Sequence, residues 1–172
     1  MIHEVPFFPG EVINFSALQV KRVMLEKGTA NPETIVEMNV YNQSKNTPFT
    51  PHSERQIMKI PIYQADAFTS QPFKGNPAAV CLLEEPLADD RMAQIAAEMN
   101  LSKTAFLLPE ADGYRLRWFT PRAEVRLCGH ATLASAHVLY ALGKLDPTAT
   151  AIFHTLSGVL KARKNGSLIE LD

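Results

Sequence analysis

Apolar and polar positions fall into clear periods from about residue 58 onward. IPIYQADAF, beginning at Ile60, reads as a strand, and SQPFKGNP after it reads as a turn punctuated by Pro and Gly. AAVCLL (78–83) is a short apolar run of the kind a buried strand carries. Met92, Ile95, Ala96 and Met99 then recur at helical spacing, which predicts a helix that Asp89 can cap. TAFLLP (104–109) is a strand. In YRLRWF the residues Tyr114, Leu116 and Trp118 alternate with Arg115 and Arg117, and Pro121 ends the run. The segment RLCGHATLASAHVLY, Arg126 to Tyr140, is apolar or small on every side after Ala131, which predicts an enclosed helix, and Gly143 fits its stop. AIFHTL, GVLKAR and SLIELD close as short strands, separated by Ser157-Gly158 and by the hairpin signal Asn165-Gly166. Many strands with two interspersed helices and no regular βαβ spacing predict an α+β domain.

Residues 1–57 do not share this order. VINFSALQVKRVMLEKG can form a strand or short helix, whereas the following stretch is rich in Asn, Thr, Ser and Pro and reads as loop. Two readings stay open for 1–57: an N-terminal extension, or a start placed too early with Met58 as the true beginning. A length of 172 residues suits one domain with an appendage.

Charge narrows the function. Seventeen basic against eighteen acidic residues leave a net charge of −1 with no basic stripe, which disfavours nucleic acid as a partner. Two cysteines, Cys81 and Cys128, cannot build a disulfide framework or a four-ligand zinc site, and the histidines show no ligand spacing, so no metal is expected. No signal peptide pattern and no apolar run of membrane-spanning length is present in these residues, which predicts a soluble, cytoplasmic protein without a membrane partner.

The chemistry gathers at Cys128-Gly129-His130, the front of the buried helix. Free backbone N–H groups and the positive end of the helix dipole stand there, and Gly129 leaves them unobstructed for a carboxylate or enolate oxygen. That dipole is expected to make Cys128 more acidic than a free thiol, and His130 can shuttle a proton near neutral pH. The competing reading is structural: a small buried thiol and ordinary capping chemistry. His137 reads as a packed core or interface histidine, and Cys81 as structural.

Three segments carry a specific resemblance: QADAFTSQPFKGNPAAVCLL, IAAEMNLSKTAF and LRWFTPRAEVRLCGHATLASAHVL. From Met58 to Asp172 the chain resembles the PhzF-like family of phenazine-biosynthesis isomerases, which shares its fold with diaminopimelate epimerase. The resemblance implies two similar lobes, each with mixed or antiparallel strands wrapped around a buried central helix, and a substrate cleft between them. Residues 58–172 correspond to the N-terminal lobe. It further implies cofactor-free proton transfer at carbon on a small anionic, carboxylate-bearing metabolite, a dihydro-hydroxyanthranilate in the phenazine-pathway member. Gly129 and His130 match the pair that holds substrate, Ser102 and Asn76 join the substrate-binding set, and Cys128 matches an acid/base thiol of the related epimerases.

Two departures follow from the same resemblance. The family's catalytic glutamate, in N-L-S-E-T, is Lys103 here, in NLSKTAF. A carboxylate takes up a proton readily, whereas lysine must first lose one; Lys103 is a catalytic candidate, alongside His130 and Cys128, where burial lowers its proton affinity enough for it to act as a neutral amine. Glu98, on the outer side of the predicted helix, is a poor substitute. The second lobe's G-D-P-V-T-G-S-A-H-type motif is also absent. A homodimer of single lobes can rebuild the cleft; the alternatives are a truncated or split gene product, and an inactive single-lobe binding or interaction protein.

Overall fold

The computed structural model describes residues 19–21, 34–40, 56–69 and 74–172. In chain order the elements are β1 (Gln19–Lys21), β2 (Thr34–Val40), β3 (Gln56–Ala67), β4 (Asn76–Leu82), α1 (Asp89–Met99), β5 (Lys103–Glu110), β6 (Gly113–Phe119), β7 (Glu124–Val125), α2 (Gly129–Ala141), β8 (Ala151–Thr155), β9 (Gly158–Asn165) and β10 (Leu168–Leu171). Among the described residues all strands join one mixed sheet in the order β1-β2-β3-β4-β5-β6-β8-β9-β10, with β7 pairing β6. Two neighbouring pairs, β4–β5 and β6–β8, run parallel. Each parallel pair brackets one helix, because a parallel return needs a crossover and a hairpin cannot supply it.

The pleat sorts the core. In β4, Ala78, Val80 and Leu82 face α2, while Ala79 and Cys81 belong to the cluster around α1. In β5, Ala105 and Leu107 go to α2 and Phe106 goes to α1; in β6, Leu116 and Trp118 go to α2 and Phe119 to α1. This is the period of two that sends successive side chains to opposite faces. Phe106 and Phe119 meet edge to face, their centroids 5.5 Å apart.

Helix α2 lies against β3, β4, β5, β9 and β10. Ala131, Ala134, Ser135 and Ala136 are buried along with Val138, Leu139 and Tyr140, and the small residues let the strands approach closely. The Ser135 hydroxyl donates to the Ala131 carbonyl at 2.7 Å, so no polar atom is stranded there. At the far end the Tyr140 hydroxyl lies 2.7 Å from the Ala149 carbonyl and 3.2 Å from that of Ala162, tying the helix to the β8–β9 side. Gly143 then takes a φ of 64°, the left-handed stop expected after a helix.

Several expectations need correction. Ala88, not Asp89, caps α1, and Asp89 is the first helical residue, with its carboxylate accepting from Arg117 Nη1 at 2.6 Å. The Arg117 side chain also grips Glu124 through Nε and Nη2, both at 2.7 Å, and outcompetes a capping role. His137 is exposed rather than packed. Its place on α2 falls one turn beyond the partly exposed Leu133, on a stripe the strands leave uncovered. The final hairpin is present, yet Asn165 pairs Leu168, so its loop is Gly166-Ser167. Gly166 has a φ of 59°, the glycine-first arrangement of a type II′ turn.

Within 1–57, β1 falls in VINFSALQVKRVMLEKG, but β2 occupies part of the stretch composition predicts as loop. β2 pairs β3 in antiparallel register from Thr34↔Ile62 to Val40↔Gln56, across the predicted boundary at Met58. No helix among the described residues is long and apolar enough to cross a membrane.

Candidate functional site

Parallel pairing of β4 and β5 sets their beginnings at one end of the sheet, with Ala78 opposite Lys103. Asn76 precedes Ala78 by two and shares its face; Lys103 precedes Ala105 by two and shares its face. Both therefore start on the side that packs α2, and α2 begins beside them. Cys128 is the N-cap, in extended conformation (φ −155°, ψ 102°), and Gly129 opens the helix. A Cβ added to Gly129 would meet nothing within 4 Å, so the space before the helix is open.

Hydrogen bonds link these residues into a chain. Cys128 Sγ lies 3.3 Å from His130 Nδ1, and His130 Nε2 lies 3.3 Å from Ser102 Oγ. Ser102 Oγ also lies 3.2 Å from Asn76 Oδ1 and 3.2 Å from the Pro77 carbonyl. Lys103 Nζ donates to the Ser102 carbonyl at 3.1 Å. The structure thus brings together Asn76, Ser102, Lys103, Cys128, Gly129 and His130, which the sequence separates by up to 54 positions (130 − 76). Glu98 stays exposed on α1.

The electrostatics reverse one expectation. Burial pushes the Cys128 thiol above its ordinary value; the Ala131 N–H, the Lys103 charge and the His130 N–H pull the other way and lose. The helix end does favour the thiolate, but Cys128 is only 7% exposed and desolvation wins. Burial, with help from Lys103, also holds His130 below the ordinary imidazole value. Both groups are therefore neutral near pH 7. Cys81 is fully buried in the other cluster and its thiol is pushed far up, consistent with a structural role.

Phe68 is a neighbour the sequence did not flag. It is 73% exposed, follows the Ala67↔Asn76 pair, and holds a left-handed φ of 65°, unusual for an aromatic residue. Gly75 has a φ of 99°, and a Cβ there would strike the Ala67 carbonyl at 2.4 Å, so only glycine fits that position; residues 70–73 of the turn predicted for SQPFKGNP lie outside the described residues. No local sequence signal marks Phe68; Gly75 beside Asn76 was the available clue. Among the described residues no three His, Cys, Asp or Glu side chains gather as metal ligands.

A mixed sheet with two crossover helices, carrying a thiol, an imidazole and a lysine near one helix start, defines an α+β protein with a candidate polar site at that start. The profile of the phenazine biosynthesis-like (PhzC-PhzF) family matches residues 65–170, and the chain belongs to that family. An uncharacterised isomerase from Halalkalibacterium halodurans is 59% identical over 116 residues, 67% of this chain and 44% of that protein. The structure of an Enterococcus faecalis PhzF-family phenazine biosynthesis protein superposes with a TM-score of 0.63 at 47% identity, covering 65% of this chain and 43% of the other. A Pseudomonas aeruginosa protein described as a predicted epimerase matches at a TM-score of 0.54 and 29% identity, over 63% of this chain and 40% of its own. The chain spans less than half the length of the curated relatives it matches.

Proposed function

We propose that this chain is the N-terminal lobe of a PhzF-like isomerase, of the diaminopimelate epimerase-like type, acting by cofactor-free proton transfer at carbon on a small carboxylate-bearing metabolite. The observation that carries the reading is the connected set Asn76–Ser102–His130–Cys128 beside the open start of α2, with the Lys103 ammonium adjacent. A carboxylate fits the positive end of α2 at Gly129 and the lysine charge. His130 and Cys128 are placed to move a proton, and Asn76 and Ser102 to hold polar groups of the substrate. Lys103 stands in the family's glutamate position and weakens the chemistry, because its ammonium donates to Ser102 and has no free pair to accept a proton. A cytoplasmic setting belongs to the same reading.

On this reading the second wall of the cleft comes from another lobe, either further chain or a second copy of this one. Leu127, Leu156 and Val159 are each more than half exposed. Arg126 Nη2 donates to the Leu156 carbonyl and Ser157 Oγ to the Arg126 carbonyl, so these apolar side chains sit on neighbouring segments. Such a grouping suits a covering partner.

The same lysine contact favours a second reading, a catalytically inactive binding or interaction lobe in which Lys103 is a fixed charge for an anion. Lys103→Glu separates the two. With a dihydro-hydroxyanthranilate in heavy water, restoring the carboxylate raises deuterium uptake at carbon about 10²-fold, the low end for a positioned acid–base group. Uptake by neither the wild type nor the variant sinks the isomerase reading for that substrate. Unchanged uptake after Lys103→Ala and Cys128→Ala together overturns the residue assignment.

A further inference from the structure

We infer that Ser102 is a positioning residue that fixes His130 in its Nε2–H tautomer, so that Nδ1 is the bare nitrogen and accepts the Cys128 thiol proton. The inference rests on reading this cluster as the reactive site. Its geometry is simple. One hydroxyl oxygen, Ser102 Oγ, has three neighbours within hydrogen-bond reach: the Pro77 carbonyl, Asn76 Oδ1 and His130 Nε2. A serine hydroxyl has one proton to give and lone pairs to receive.

Two arrangements compete. If the hydroxyl donates to His130 Nε2, the Pro77 and Asn76 oxygens stand 3.2 Å from Ser102 Oγ with no proton between them and it, and lone pairs face lone pairs. The imidazole proton would then sit on Nδ1 and point at a neutral sulfur, a weak acceptor. If the hydroxyl donates to either oxygen, Oγ is free to receive Nε2–H, and Nδ1 receives the S–H of Cys128 3.3 Å away. The second arrangement gives every polar proton an acceptor. The Pro77 oxygen is a backbone carbonyl that can only accept, so the conclusion survives even if the Asn76 amide is turned round.

The consequence is directional. His130 is closed on its Ser102 side, since the serine proton leads only to oxygens that do not take it up. It can act as a base solely at Nδ1. When it does, the S–H bond of Cys128 breaks and an N–H bond forms, leaving thiolate and imidazolium, with no other reactant involved. Ser102 so decides which atom of this cluster can become the base toward substrate, namely the sulfur.

The test is a nitrogen–proton correlation spectrum of the ¹⁵N-histidine-labelled chain near neutral pH, with His130 assigned by its loss in His130→Gln. The expected wild-type result is a pyrrole-type Nε2 with a slowly exchanging proton and a pyridine-type Nδ1. In Ser102→Ala the Nε2 proton signal is lost to exchange and the two nitrogen shifts move toward each other; Ser102→Thr, which keeps the hydroxyl, restores both. A proton on Nδ1, or on both nitrogens, in the wild type overturns the inference, as does a Ser102→Ala spectrum with unchanged nitrogen shifts. The wild-type spectrum decides the tautomer even if a variant folds poorly. No substrate is needed, so a correct tautomer without deuterium exchange would count against the isomerase reading alone, and exchange with the wrong tautomer against this inference alone.

Discussion

Thr104 shows how a single residue beside the site can matter in a different way from its neighbours. Lys103 and Ala105 face α2, and Thr104 between them faces away, wholly buried, with a hydroxyl that has no partner among the described residues. A buried, unpaired hydroxyl costs about 1–3 kcal/mol in lost hydration, whereas a methyl in the same volume costs nothing of the kind. Thr104→Val is therefore expected to stabilise the fold by about 1 kcal/mol, read as a rise in the urea midpoint at unchanged slope. A fall in the midpoint would mean that the hydroxyl has a partner after all. The residue scale is also where the sequence was least legible. Cys128 at a helix start reads as an acidic thiol, but the opposing cause is burial under side chains from distant strands, and no local pattern records it. The contact of Ser102 with His130 is similarly invisible, because it depends on the parallel return of β5 beside β4.

At the scale of elements the patterns carried most of the information. The alternation in YRLRWF and the apolarity of the segment after His130 each have burial as their dominant physical cause; β6 follows the first, and α2 is buried on all but the stripe through Leu133 and His137. Composition taken over a long polar stretch hides the strand β2. Within that stretch TIVEMNV alternates Val36, Met38 and Val40 with Glu37 and Asn39, a short strand signal of its own. Helix α2 also allows folding and binding to be separated. Gly129 is its first residue, with open space where a Cβ would stand. Gly129→Ala should leave thermal stability unchanged or slightly higher, since alanine is the better helix former. Its methyl would nevertheless occupy the approach to the N–H groups, weakening a carboxylate ligand about tenfold, the equivalent of one charge-assisted hydrogen bond. Titration calorimetry beside a melting curve reads both. Loss of stability with unchanged affinity would show that the helix start serves packing rather than binding.

At the scale of the molecule, the described residues form one wall of the proposed site. Asn76, Ser102, Lys103 and the start of α2 form it, and the apolar side chains of Leu127, Leu156 and Val159 stand exposed on segments that adjoin that start. The family relatives are more than twice as long as the matched segment, so in them further chain is available to face it. On the proposed reading a second copy of this chain can supply a facing wall, because a twofold axis lets one patch cover its own equivalent. Light scattering during size exclusion is then expected to give twice the mass of the chain. Leu127→Glu with Leu156→Glu should shift it to the monomer, since charge placed at an apolar contact cannot be desolvated without a partner. The two substitutions lie at exposed positions, so melting of each subunit should change little, which distinguishes a broken interface from a broken fold. A wild-type chain that runs as a monomer at high concentration would remove the self-made second wall. The facing surface would then have to come from elsewhere, and Lys103→Glu in these residues alone would not restore proton exchange.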